Sequence, residues 1–141
     1  MDRIDKILNH DLFLYHLGRN NAAEADRRFC RHGMVHFLDV ARIGTIIALE
    51  EGLELDREWI YAAALLHDCG KHEQYENGIP HEQASARIAP EILKTCGFND
   101  EETGVIVTAI SKHRDPEAAK EKNLNGILYR ADKASRACFA C

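Results

Sequence analysis

The apolar run Tyr61-Ala62-Ala63-Ala64-Leu65-Leu66 ends in the pair His67-Asp68. Burying a charged pair at the end of such a helical run is costly unless something compensates it. A bound cation is the direct candidate, and other His and Asp residues stand where they could complete its shell. That one feature demands a fold in which several elements converge on the end of one helix.

Nearly every periodic segment has helical rather than alternating spacing. Ile4, Ile7, Leu8, Leu12 and Leu14 predict an N-terminal amphipathic helix over residues 3–17, closed by Gly18 and Asn20-Asn21. Phe13, Leu14 and Leu17 on it are expected to cover the core or to make a dimer contact. Met34 to Glu51 predicts a second helix carrying Val35, Leu38, Val40, Ile43, Ile46, Ile47 and Leu49, with Gly52 as its stop. Asp56 caps a third that runs into His67. The turn-rich stretch from Cys69-Gly70-Lys71 to Asn77-Gly78-Ile79-Pro80 reads as a loop. Pro80 suits the start of a helix from His81 to Thr95, stopped by Gly97. Asn99 or Asp100 opens another that reaches His113, Asp115-Pro116-Glu117 opens a short one, and Asn125 to Ala137 forms the last. No strand, internal repeat or linker stands out. The expectation is an all-α, compact single-domain helical bundle over residues 1–141, with its core at residues 31–136.

A chain of 141 residues with 45% hydrophobic content is long enough for one domain burying roughly two thirds of its unfolded surface. Asp and Glu outnumber Lys and Arg by 23 to 18, a formal charge of -5, which argues against broad attachment to a nucleic acid polymer. Any anionic ligand must be gripped locally. No apolar stretch reaches the ~20 residues needed to cross a bilayer, and the N-terminus has no signal-peptide pattern, so no membrane partner and a cytoplasmic location are expected. The 5 cysteines are odd in number and scattered, as suits reduced thiols. Cys30, Cys69 and Cys96 are expected to pack or lie idle. Cys138 and Cys141 form a C-x-x-C, half of a zinc motif whose partners would lie downstream if the chain was cut there.

The remaining polar outliers fall on inward faces of the predicted helices. His36 shares a stripe with Val40 and Ile43. His81 opens a helix, His113 ends one whose residues Val105, Ile106, Ala109 and Ile110 face inward, and Asp132 lies beside Leu128 and Ala131. Four histidines and two aspartates from five segments can converge only if the helices pack around a common centre, as metal sites in helical cores do.

The order His36, Leu65-Leu66-His67-Asp68-Cys69-Gly70-Lys71, His81, His113, Ala131-Asp132-Lys133 resembles the HD-domain superfamily of metal-dependent phosphohydrolases. The resemblance extends from Arg31 to Arg136 and implies a compact helical bundle. It also implies that His36, His67, Asp68 and Asp132 bind one metal, and that His81 and His113 add a second, bridged by Asp68. Imidazole and carboxylate ligands suit Fe, Mn, Co, Ni or Zn, with iron or manganese the expectation. Two divalent cations about 3.5 to 4 Å apart can share a bridging hydroxide and hold both oxygens of a phosphoryl transfer. Lys71 is expected to neutralise a phosphate oxygen in the transition state. Arg31 and His32 are softer candidates for substrate binding at the pocket rim, His32 lying one turn before His36 if the helix has already begun. Arg114, Arg130, Lys133 and Arg136 are further sources of positive charge. Asp39 and Glu73 are candidates for holding a ligand imidazole by its other nitrogen. His10, His16 and His72 are expected at the surface.

The substrate class implied is a nucleotide phosphoester or phosphoanhydride, for example a dinucleoside polyphosphate. Cyclic dinucleotide hydrolases of this superfamily carry Gly-Tyr-Pro where this chain has Gly78-Ile79-Pro80, which ranks that substrate lower. Two other readings stay open: an HD-fold diiron oxygenase, and a regulatory module that binds a nucleotide without turnover. Oligomeric state is left open, homo-oligomers included.

Overall fold

The computed structural model describes residues 1–27 and 31–135. These residues form α1 (Asp2–Leu8), α2 (Asp11–Ala23), α3 (Met34–Glu50), α4 (Arg57–Leu66), α5 (Lys71–Asn77), α6 (His81–Thr95), α7 (Asp100–Ser111), a 3-10 helix over Pro116–Lys120, and α8 (Leu124–Ala134). No strand occurs among the described residues, and the architecture is the all-α single-domain bundle expected.

Helix α4 is central, packed against α1, α3, α6, α7 and α8. Ile60, Ala62, Ala63, Ala64, Leu65 and Leu66 on it are all buried. An apolar surface on every side requires neighbours on every side, and the three alanines let those neighbours approach closely. The Asp56 side chain accepts the Glu58 backbone N–H at 2.8 Å and starts the helix. Its other end delivers His67 and Asp68 into the interior.

Other boundaries follow local chemistry. Asn99 and Glu102 form a reciprocal capping box at the start of α7. Asp115 caps the 3-10 helix, and Asn123 accepts from Asn125 and Gly126 to start α8. Pro80 precedes α6, and the left-handed Gly52 and Gly97 follow α3 and α6.

Three expectations need correction. The N-terminal segment is two helices, not one over 3–17. At the junction the His10 ring turns back to accept the Leu12 N–H at 3.1 Å, so α2 has its own cap, while Ile4, Ile7 and Phe13 still bury against one core. Gly18 does not stop α2, which runs on to Ala23. The stretch after Asp68 is not a loop: Lys71–Asn77 is helical and ends on Gly78 with φ 70°. Its residues Lys-His-Glu-Gln-Tyr-Glu-Asn hide no apolar period because its buried residues are Lys71 and His72. On α3, Val35, Ile46 and Leu49 are exposed rather than inward, and Phe37, Val40, Ala41, Gly44 and Ala48 supply the buried face.

Phe13 is buried and Leu14 exposed on α2. Arg3 fastens α1 to its neighbours through Glu58 and Glu102, whose carboxylate also takes the Trp59 indole N–H at 2.7 Å. Cys69 and Cys96 are buried free thiols, and burial pushes the Cys69 thiol up to about 12. Cys30, Arg136, Cys138 and Cys141 lie outside the described residues.

Candidate metal centre

Five segments converge below the end of α4. His36 comes from the first turn of α3, His67 and Asp68 from the end of α4, His81 from the start of α6, His113 from just beyond α7, and Asp132 from α8. His67, Asp68, His113 and Asp132 are fully buried, and His81 nearly so. Asp68 divides its two oxygens. Oδ2 lies 3.1 Å from His36 Nε2 and 3.1 Å from His67 Nε2. Oδ1 lies 3.3 Å from both His81 Nε2 and His113 Nε2. Asp132 Oδ1 completes the first group at 3.2 Å from His36 and 3.5 Å from His67. The result is two donor sets joined by one carboxylate: His36, His67, Asp68, Asp132 and Asp68, His81, His113, each with its ligand atoms within 4.8 Å of one another.

The imidazoles are oriented from behind. His67 Nδ1 lies 2.6 Å from the Ala64 carbonyl, and His113 Nδ1 lies 2.7 Å from the Ile110 carbonyl. His81 Nδ1 lies 2.6 Å from Gln74 Oε1, and His36 Nδ1 lies 3.4 Å from the Ser135 hydroxyl. Because a carbonyl oxygen accepts only, it places the proton on Nδ1 and leaves a lone pair on Nε2.

That tautomer sets up a conflict which a cation resolves. With His81 and His113 both protonated at Nδ1, their Nε2 lone pairs face each other across 3.1 Å. His67 Nε2 and Asp68 Oδ1 are buried with no hydrogen-bond partner. Two facing lone pairs and an orphaned carboxylate oxygen are repulsive by themselves and are satisfied together by a shared positive charge. The donor set therefore fits divalent metal.

The electrostatics agree. Burial disfavours a charged His67, yet the Asp68 and Asp132 carboxylates outweigh it and hold the imidazole up at about 10. Burial likewise opposes charge on His36, and its bonds to Asp132 and Asp68 raise it. The same contacts hold both aspartates well below the usual carboxylate range against the opposite pull of burial. His81 behaves differently: burial pushes it down to about 3, and the nearby Lys71 adds to the effect against the pull of Asp68. Without metal, protons on the first donor set neutralise the carboxylates, while His81 stays neutral.

Lys71 is buried at the start of α5, its ammonium 3.3 Å from His81 Nδ1 and 5.6 Å from the centre of the Tyr75 ring. His32 precedes α3, is buried, pairs with Glu24, and sets its ring edge-on to His36 with centroids 5.5 Å apart. Arg31 is exposed and turns its guanidinium back to the Arg27 and Ala25 carbonyls. Arg130 pairs with Glu51. Glu73 holds Arg87 rather than a ligand imidazole, and Asp39 lies half-buried on α3. His72 is not a surface residue: it is buried against His16, Nε2 to Nδ1 at 2.9 Å. His16 is half-buried, and burial with the charge of His72 pushes it down to about 4.

Sequence reasoning missed Asn20, Glu24, Gln74, Ser85 and Ser135. Each works through a hydrogen bond to a residue distant in sequence or across a turn, and no periodicity announces such a contact. Gly70 on the same turn leaves no room for a side chain: a Cβ there would lie 2.8 Å from Ser85 N and Ala84 Cβ, so the turn after Asp68 needs a residue without one.

The HD-domain family profile matches residues 33–137. The chain belongs to the HD-domain family. An uncharacterized protein of Clostridium beijerinckii is 50% identical over 141 residues, spanning 100% of this chain and 88% of that one. Ribonuclease Y of Mycoplasma mycoides subsp. mycoides is 29% identical over 102 residues, 72% of this HD domain chain but 18% of that protein. Among solved structures, a predicted HD superfamily hydrolase from an uncultured Thermotogales bacterium superposes with a TM-score of 0.65 at 28% identity, covering 85% of this chain and 66% of that one. HD domains bind divalent metals, and this one brings together the His and Asp ligands to do so. Its relatives place it in a hydrolase superfamily. Among the described residues no helix is long and apolar enough to cross a membrane.

Proposed function

We propose that this HD domain is a phosphohydrolase with a dinuclear divalent metal centre of iron or manganese, acting on a nucleotide phosphoester or phosphoanhydride. The observation that carries the reading is the division of Asp68, one oxygen to each of two imidazole groups. His36, His67, Asp68 and Asp132 would hold one ion, and Asp68, His81 and His113 the other. Such a pair would supply Lewis acidity toward phosphoryl oxygens and lower the pKa of water enough that its deprotonated form is available as the nucleophile at neutral pH.

The chain's own groups do the rest. The Ala64, Ile110 and Gln74 oxygens keep the imidazole Nε2 atoms aimed inward, which lowers the reorganisation needed on loading. Lys71 stands beside His81 and offers a cation to a phosphate oxygen as negative charge builds in transfer. The apolar walls of α4 and α7 exclude bulk water and strengthen both effects.

The match to ribonuclease Y favours a second substrate within the same chemistry, the phosphodiester of RNA. The formal charge of -5 weighs toward a small nucleotide, since polymer binding draws on many cationic contacts. The test combines metal analysis of the purified protein with phosphate- and nucleotide-release assays on nucleotides, dinucleoside polyphosphates, cyclic dinucleotides and short RNA, using manganese- and iron-loaded enzyme. Turnover of a dinucleoside polyphosphate is expected. Inactivity on every phosphoester by fully loaded protein overturns the proposal, and oxygen uptake by a two-iron form would replace it with the oxygenase.

A further inference from the structure

Helix α2 lies outside the segment 33–137 that matches the HD-domain family, yet a polar ridge on it grips the framework of the metal centre. His16, Asn20 and Glu24 recur every four residues and stack on one face. His16 meets the His72 ring, and Glu24 takes the Tyr75 hydroxyl at 2.7 Å and the His32 backbone N–H at 2.6 Å. Asn20, at the centre of the ridge, is 0% exposed. Its amide donates to the Asp68 carbonyl at 2.8 Å, and its Oδ1 accepts the His72 backbone N–H at 2.9 Å.

Those two backbone groups bracket the turn that carries Asp68 and Lys71. The far side of the same turn is held by Ser85, whose hydroxyl accepts the Gly70 N–H at 2.9 Å. Beyond the turn, α5 buries Lys71 and His72 and no apolar side chain. Hydrophobic packing therefore does little to fix where α5 sits, and directional bonds must do it. A side-chain amide suits the task because it offers a donor and an acceptor at once. A carboxylate in its place would face the Asp68 carbonyl with a second acceptor.

We infer that Asn20 is a positioning residue for the proposed centre, holding the Asp68–His72 turn so that both Asp68 oxygens face the imidazoles and the Lys71 ammonium stays beside His81. This inference rests on the metal-centre reading above. It makes the N-terminal α2 a working part of the site.

The test uses the full chain with Asn20→Leu, which removes both bonds, and Asn20→Asp, which keeps only the acceptor. Ile7→Ala, a core truncation in α1, is the control for lost stability. Manganese affinity is measured by calorimetry, and exchange of the His72 amide by NMR. Both Asn20 variants are expected to bind manganese about 10- to 100-fold more weakly, while Ile7→Ala binds it as wild type does despite a lowered Tm. His72 amide exchange should quicken about tenfold or more in Asn20→Leu and stay slow in Asn20→Asp. Wild-type manganese affinity in whichever Asn20 variant folds, or an equal loss in Ile7→Ala, overturns the inference and leaves Asn20 a structural residue. Wild-type protein that takes up no divalent metal defeats the metal-centre reading instead. The hold on the turn is then decided by the His72 amide, whose unchanged exchange in Asn20→Leu overturns it.

Discussion

Metal uptake by this protein should depend steeply on pH, because the first donor set stores protons that a metal must displace. His67 has an ordinary imidazole value of 6.5 and is held at about 10 in the folded, metal-free protein, where burial is outweighed by Asp68 and Asp132. At pH 7 its Nε2 is therefore occupied by a proton in all but about one molecule in 10³, a penalty of about 4 kcal/mol at 1.36 kcal/mol per pH unit. Affinity at the set His36, His67, Asp68, Asp132 should rise about tenfold per pH unit from 7 toward 10, with about one proton released from His67 per ion. His81, held down at about 3, has no proton to surrender across that range. The stability of the metal-free protein runs the other way. A raised imidazole stabilises fully below 6.5, and that contribution is lost as pH rises through about 10. The depressed aspartates stabilise above the ordinary carboxylate range, and that contribution is lost as pH falls into the acid range. The depressed imidazoles His81, at about 3, and His16, at about 4, take stability away as pH falls below 6.5, so metal-free protein should be most stable near pH 6.5, and metal should raise Tm most at alkaline pH. Calorimetric titration of chelator-stripped protein with manganese, from pH 6.5 to 9 in buffers of different ionisation enthalpy, gives both affinity and protons released. A flat affinity with no proton release would refute the reasoning.

Asp68→Ala removes the shared ligand; metal content should fall from two ions to one or none and hydrolysis should disappear, with helical circular dichroism retained. Undiminished turnover in that variant would exclude the dinuclear reading. Lys71→Met should leave metal content unchanged and lower kcat by about 10²- to 10³-fold, as loss of a cation acting on developing charge does. An unaltered kcat would place Lys71 outside the chemistry. Gly70→Ala drives a Cβ to within 2.8 Å of Ser85 N and Ala84 Cβ, so a loss of about 1–3 kcal/mol is expected in urea unfolding, typical of overpacking. An unchanged unfolding midpoint would show that the turn has slack.

What the sequence determined by itself was the set of helices that announce themselves through apolar period and caps. The run into His67 and the helices from Pro80 and Asn99 start where Asp56, Pro80 and Asn99 dictate, because capping and period are local properties of consecutive residues, and the last helix, expected from Asn125, starts at Leu124 behind the Asn123 cap. The convergence of His36, His67, Asp68, His81, His113 and Asp132 was legible for a related reason. Polar groups on inward helical faces need partners, and each other was the available one. Where the burial is polar, periodicity is silent. Helix α5 hides Lys71 and His72 and so read as a loop, and His72 read as a surface residue. The break at Asn9-His10 depends on a ring turning back to its own backbone while both helices keep one apolar face. Tertiary structure alone decided which oxygen of Asp68 faces which imidazoles, that His32 belongs to Glu24, and that Asn20 reaches the backbone of a turn 48 residues away. Those are hydrogen bonds and ion pairs between distant segments, and their geometry exists only once the helices have packed.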